Sequence, residues 1–421
     1  MQRFHFNISP IAAGLVLTLG SANALATDGY FSTGYSVKSQ GVGGASIAYP
    51  QDGLAAASNP AGTAWVDDQI EAGITLFTPN RNTEITGSPV PGANGSYDGN
   101  ATKNFLIPEF GYAQKISNTT SVGVAVFGNG GMDTDYSNSP FAAYGGQGSA
   151  GVNLEQLFIE PSVAFKVDQN NTLGVGVNFA YQQFSAKGLQ GFSQASADAA
   201  NLTNRGTDTS TGWGLHLGWL VHLTHDLTVG ATWSSKINTG KFSDYSGLFA
   251  DGGSFDIPES YGIGLAFKAT PTWTLVADIE KIKYSQIVSV ANPLANLFAG
   301  NPLGSANGPG FGWQDVTAIK LGASYDVQPS VTVRAGYNHS GQPIPADQTF
   351  FNILAPGVVQ DHLSFGASWK TSSSGELSLF YAHAFKKQVN GSSSIPSSFG
   401  GGEANINLTE NSFGLAYIWK L

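Results

Sequence analysis

The feature that most constrains this chain is the rhythm of the connections between its alternating segments. From Gln69 onward, apolar residues alternate with small or polar ones at period two, the pattern of strands with two chemically different faces. In "LTVGATWSS", Leu227, Val229, Ala231 and Trp233 share one face, and Thr228, Gly230, Thr232 and Ser234 the other. "YGIGLAFK" sets Tyr261, Ile263, Leu265 and Phe267 against Gly262, Gly264, Ala266 and Lys268. "VTVRAGYN" opposes Val331, Val333, Ala335 and Tyr337 to Thr332, Arg334, Gly336 and Asn338. About fourteen such segments are present, each long enough to cross a bilayer as a tilted strand. They fall at 69–86, 104–116, 120–129, 154–168, 171–187, 211–224, 226–240, 258–270, 272–290, 313–326, 330–343, 361–371, 376–390 and 407–421. Very short turns ("SNT", "QN", "TP", "QPS", "SSSG") alternate with long loops such as "GLQGFSQASADAANLTNRG" and "KFSDYSGLFADGGSFDIP". Short turns at one end and long loops at the other describe an all-β, antiparallel transmembrane barrel of the outer-membrane kind. A soluble sandwich gives no reason for this alternation.

Composition agrees. Charged residues make up 11% of the chain, against roughly 25% in soluble domains. Beyond the N-terminus no apolar run reaches the ~18 residues of a spanning helix. Cysteine is absent, as suits an oxidising periplasm, and the net charge of −10 argues against a nucleic-acid partner. The chain begins with an arginine-bearing stretch, an apolar run at 11–20 and "ALA" ending at Ala26. That predicts a signal peptide over 1–26, with Thr27 as the first mature residue.

An even strand count returns both barrel ends to the periplasm, leaving residues 27–68 to enter the lumen or cross its mouth. The stretch "AAASNPAGTAW" in that region is neither a good helix nor a good strand, because Pro60 lacks an N–H and biases Asn59 away from helix. Its small residues suit irregular backbone packed inside a barrel, away from lipid. Residues 27–68 are therefore expected to form a plug, and 69–421 the barrel.

The segments "GVGGASIA" and "LAAASNPAG" resemble the N-terminal hatch of the FadL family, outer-membrane transporters of long-chain fatty acids and other hydrophobic compounds. "NRGTDTSTGWGLHLGWL", "WQDVTAIKLGASY" and "VRAGYNHSGQPIP" extend the resemblance along the chain. It implies a fourteen-stranded barrel closed by a hatch, with the family's Asn-Pro-Ala motif on Asn59, Pro60 and Ala61. It also implies capture in a hydrophobic groove between loops 188–206 and 241–258, then an internal pocket beside the hatch. Ligand would leave sideways at a kink of the third strand. Gly128, Gly130 and Gly131 would tolerate that kink, although by themselves they read better as the start of an outer loop.

Groove candidates are Leu189, Phe192, Phe242, Tyr245, Leu248 and Phe249, taken as an apolar patch facing water; the alternative is that they cap one another as loop cores. Tyr30 and Phe31 could line the inner pocket or simply pack the hatch. Inward Lys320 and Arg334, on neighbouring strands, are candidates for a ligand carboxylate. Inward Glu160, Asp278 and Glu280 could instead pair with them. Lys281 and Lys283 could meet lipopolysaccharide phosphates or merely be solvated. Asn59 can hold the plug's turn by bonding nearby backbone. His216 and His222 face inward, but no G-x-S-x-G or H-E-x-x-H motif accompanies them, so no catalysis, metal or cofactor is expected. The expected partners are fatty acids or aromatic hydrocarbons and the lipids of a Gram-negative outer membrane, for a monomer. A general diffusion porin is the rival, and it would normally lack a plug.

Overall fold

The computed structural model describes residues 28–421, so the expected signal peptide and Thr27 lie outside the described residues. Fifteen strands form one sheet: β1 (Gln69–Thr86), β2 (Gly95–Asp98), β3 (Phe105–Lys115), β4 (Thr120–Tyr136), β5 (Ala150–Lys166), β6 (Asn171–Lys187), β7 (Asp208–His222), β8 (Leu227–Ser234), β9 (Ser260–Lys268), β10 (Trp273–Ile282), β11 (Val316–Gln328), β12 (Val331–Ser340), β13 (Asp361–Lys370), β14 (Gly375–Val389) and β15 (Glu403–Lys420). Sequential neighbours pair, except that β1 takes both β2 and β3 as partners, and β15 pairs back to β1. The result is a closed antiparallel barrel of fourteen strands. The extra strand, β2, is a short ribbon on the upper part of β1, where Asn82–Ile85 face Asp98–Gly95.

The outward faces are those the alternation assigns. On β6, Leu173, Val175, Val177, Phe179 and Tyr181 stand exposed, a greasy band suited to acyl chains. The observed β1 and β6 match their expected spans. Most other strands shift by a few residues at their ends, and three depart further. β4 continues to Tyr136 through its glycines rather than ending in a loop. β8 stops at Ser234, beyond which regular pairing gives way to isolated bridges, Thr239 to Gly212 of β7 and Ile237 to Ile257. β10 stops at Ile282, after which the Tyr284–Gln286 and Val288–Ala291 turns fold inward.

Residues 28–66 fill the lumen. A one-turn helix, Val37–Gly41, is closed by a Ser36–Ser39 capping box and packs on β12 to β15. The 3-10 turn Pro60–Trp65 packs on β4 to β7, at the opposite side of the ring. Only a segment inside the barrel reaches both. Close approach depends on wall glycines. A methyl group on Gly218 would lie 2.0 Å from Asn59 Oδ1, and one on Gly174 2.1 Å from the Ala61 nitrogen.

Irregular backbone inside a barrel needs hydrogen-bond partners, and inward carboxylates supply them. Asp278 accepts from the amides of Ser46 (2.7 Å) and Ile47 (2.9 Å). Glu109 accepts from Val37 (3.1 Å) and Glu71 from Gly53 (3.1 Å). Lumen acids thus fasten the plug rather than lining an open constriction.

Candidate functional site

Three features on the inner surface line up from the long-loop end toward the wall. The first is a cleft among the loops. The six candidate residues do not form a patch facing water: Leu189, Phe192, Phe242, Tyr245 and Phe249 are buried and Leu248 is half-buried. The cause is mutual packing around Phe184 of β6, whose ring lies 4.6 Å from Phe249, 4.8 Å from Tyr245 and 5.6 Å from Phe242. Tyr245 also donates to the Gly206 carbonyl at 2.5 Å, tying one loop to the other. The loop-core alternative therefore describes Phe242 and Tyr245. Leu189, Phe192, Leu248 and Phe249 line an apolar cleft of about 490 Å³ with Phe184, Phe311, Phe351 and Leu354. The last four escaped sequence reasoning; three sit on later loops that only the fold brings over the first two.

The second feature is a chamber of about 640 Å³ beside the N-terminal segment, lined by Phe31, Tyr35, Phe127, Phe158 and Ile257 and by polar groups including His216, Asp278, Glu280 and Lys320. Phe31 borders the chamber. Tyr30 is fully buried in an aromatic nest, its ring 5.0 Å from Tyr284 and 6.0 Å from Trp313. The Tyr284 hydroxyl accepts from the Tyr30 amide (3.1 Å) and donates to the Asp28 carbonyl (2.6 Å). Lys320 Nζ is committed to Glu280 (2.7 Å), Asp28 (3.5 Å) and the Thr33 carbonyl (2.8 Å). Arg334 does not border the chamber. It lies under the plug, donating to Gln51 Oε1 (2.8 Å) and Ser368 Oγ (2.7 Å). Glu160 meets His216 Nδ1 at 2.9 Å, and His216 Nε2 meets Thr232 at 2.7 Å, a satisfied wall histidine. Lys283 pairs with Asp315 of its own loop at 2.7 Å, and Lys281 is half-buried.

The third feature is an interruption of the wall. β3 and β4 pair only from Lys115–Ser121 to Phe110–Val126. Above that, β3 residues Phe105 to Glu109 have no ladder to β4. At the same height Asn129 forms a bulge between Gly128 and Gly130 in the β4–β5 register and turns inward to donate to Gln156 at 3.0 Å. β4 exchanges its neighbour for the N-terminal segment: Ser32 donates to the Asn129 carbonyl (2.9 Å) and Gly131 to the Tyr30 carbonyl (3.0 Å). The reading of Gly128, Gly130 and Gly131 as a loop is thereby corrected; they let a strand bend and bulge. Above the gap, Arg81 of β1 clasps Asp133 of β4 at 2.6 Å. Pro108 in mid-β3 was the overlooked signal, since proline within a sheet belongs at an edge or an irregularity.

Asn59 ties the N-terminal segment to the wall. Asn59 caps the Pro60–Trp65 turn by accepting from the Ala61 amide (3.0 Å). Its Nδ2 donates to the carbonyls of Ile47 (2.9 Å), Trp219 (3.1 Å) and Ala231 (3.4 Å). One side chain thus joins the plug to β7 and β8.

Comparison with known proteins agrees with this architecture. The long-chain fatty acid transport protein of Escherichia coli (strain K12) is 22% identical, covering 88% of this chain and 92% of its own. The crystal structure of the P. putida toluene transporter TodX superposes with a TM-score of 0.69 at 18% identity, over 92% of this chain and 99% of that one. A Pseudomonas aeruginosa FadL homologue gives a TM-score of 0.70 at 16% identity, over 93% and 99%. Residues 23–418 match the family described as "Outer membrane protein transport protein (OMPP1/FadL/TodX)", and the chain belongs to that family of the Gram-negative outer membrane.

Proposed function

We propose that this chain takes up long-chain fatty acids by capture in the loop cleft, passage through the chamber and sideways exit between β3 and β4. Family membership makes it an outer-membrane transporter of hydrophobic compounds. The observation that carries the route is the interrupted β3–β4 ladder beside the chamber. At about 0.8 kcal/mol per methylene, a sixteen-carbon chain forced through water would lose about 13 kcal/mol. An apolar cleft that leads to an opening facing acyl chains avoids that loss, whereas a water-filled pore does not.

A second reading, neutral aromatic hydrocarbons, is favoured by one specific observation. The cation beside the chamber, Lys320, already holds two carboxylates. Deleting Asn129 tests the route. Without the bulge residue, β4 can run straight and extend its pairing with β3. The expected outcome is loss of labelled oleate uptake by cells, with oleate binding to the purified protein retained. Undiminished uptake overturns sideways exit. A parallel toluene series decides between the two ligand classes.

A further inference from the structure

A further, polar cavity of about 400 Å³ lies between the N-terminal segment and the inner faces of β12 to β15, lined among others by Thr33, Asn338, His362, Ser364 and Glu410. Its chemistry is unbalanced. Glu410 and Asn338 are 2% and 1% exposed, and His362 is 5% exposed. Neither oxygen of Glu410 meets a hydrogen-bond partner among the described residues, nor does His362 Nε2, nor Asn338 Oδ1. A buried carboxylate left without partners is costly. The ion-pair contact Glu410 has is His362 Nε2, at 4.0 Å, beyond hydrogen-bond reach. The other buried acids among the described residues each have a hydrogen bond through at least one oxygen, so Glu410 is the exception.

Two atoms 4.0 Å apart are the right separation to be bridged by one oxygen at about 2.8 Å from each, subtending roughly a right angle. A hydroxyl placed there donates to Glu410 and accepts from the His362 ring. A ligand carboxylate in the same place would set a second acid against Glu410, while Arg81, the cation bordering the adjoining cavity, is already paired with Asp133 at 2.6 Å. The polar cavity also shares Glu410 with a mostly apolar cavity of about 380 Å³, lined by Phe77, Pro79, Phe105, Met132, Trp313 and Leu408. That second cavity reaches β3 and β4 at the wall interruption.

We propose that the two cavities form one amphipathic subsite for a hydrophobic alcohol, with its hydroxyl between His362 and Glu410 and its tail along Phe77 and Phe105 toward the gap. The proposal rests on the coarser transport reading, uptake of hydrophobic compounds, and adds hydrophobic alcohols to the ligands considered above. The hydroxyl's two hydrogen bonds, to Glu410 and to His362, are the discriminating contacts, together worth about tenfold in affinity.

The test uses the purified full-length protein in detergent with 1-dodecanol, dodecanoate and dodecane as competitors of a bound fluorescent hydrocarbon probe. 1-Dodecanol is expected to bind about tenfold more tightly than dodecane. Glu410→Gln and His362→Leu should each remove most of that advantage and leave dodecane binding unchanged. Far-ultraviolet circular dichroism and heat-modified gel mobility establish that each variant is folded. If one variant fails to fold, the other carries the test. Equal binding of dodecanol and dodecane to the wild-type protein overturns the proposal, because water alone then satisfies the cavity. So does an alcohol advantage that survives both substitutions. If none of the three competitors binds, it is the transport reading that fails.

Discussion

Asn59→Ala and Asn59→Asp separate two jobs that one side chain performs. The alanine variant loses the cap on Ala61 and the bonds from both Nδ2 hydrogens. At about 1 kcal/mol for each of three buried bonds, the plug's local stability should fall by about 3 kcal/mol. Every 1.4 kcal/mol is tenfold, so amide hydrogen exchange in residues 44–66 should accelerate about a hundredfold. Aspartate is as good a helix cap as asparagine, and capping alone would leave the aspartate variant near wild type. In this structure the substitution would turn a carboxylate oxygen onto the Ile47 and Trp219 carbonyls, at 2.9 and 3.1 Å. It should therefore loosen the plug at least as much as alanine does. Exchange followed by mass spectrometry on detergent-solubilised protein reads both variants, with peptides from β6 and β7 as internal controls. An aspartate variant protected like the wild type refutes the docking role; acceleration below about threefold in both variants refutes the anchoring altogether.

Lys320→Met should leave Asp28 and Glu280 buried without their cation, at a cost of about 3–5 kcal/mol, read as faster exchange in residues 28–36. If oleate affinity falls while that exchange stays constant, Lys320 serves the ligand and not the plug. Burial pushes the carboxyls of Asp28 and Asp52 above their ordinary 3.8, outweighing Lys320 and Lys38 respectively. Each then holds its proton more tightly in the docked plug than in the released one, so this contribution is full below 3.8 and fades as pH climbs through the raised values. After correction for intrinsic rates, residues 28–36 and 50–55 should exchange more slowly in mildly acid than in mildly alkaline buffer; the opposite trend would show that the carboxylate forms hold the plug.

How much of this was legible in the sequence depends on whether the signal was local. Period-two alternation is local, and β1 and β6 were readable to the residue because inward and outward positions alternate along nearly the whole strand. β10 was overextended because the stretch after Ile282 still alternates, although Tyr284 is drawn inward to the Tyr30 amide. The cleft was half legible. Loop residues of high apolarity were recognisable, but Phe311, Phe351 and Leu354 join Leu189 and Phe249 only through closure of the ring. Lys320 and Arg334 were rightly read as inward; which acid or amide each would meet depended on the path of the plug.

The wall interruption shows why local reading fails where several segments cooperate. In a bilayer each unpaired backbone group costs several kcal/mol, so a barrel cannot simply omit a stretch of ladder. Here the cost is met from both sides. On β3, Pro108 has no N–H to leave unmade. On β4, the carbonyl of Asn129 and the amide of Gly131 are taken by Ser32 and Tyr30, and Arg81 re-joins β1 to β4 above the opening. None of these residues alone signals a gap. A proline in a strand reads as a defect, three glycines as a turn, and a buried arginine as a stray lumen charge. Together they let a strand part from its neighbour within the membrane, and the segment that relieves β4 is the one that borders the chamber. On the proposed route, ligand passage and wall integrity would depend on the same few residues of the segment beginning at Asp28, so plug exchange and uptake should be measured on the same variants.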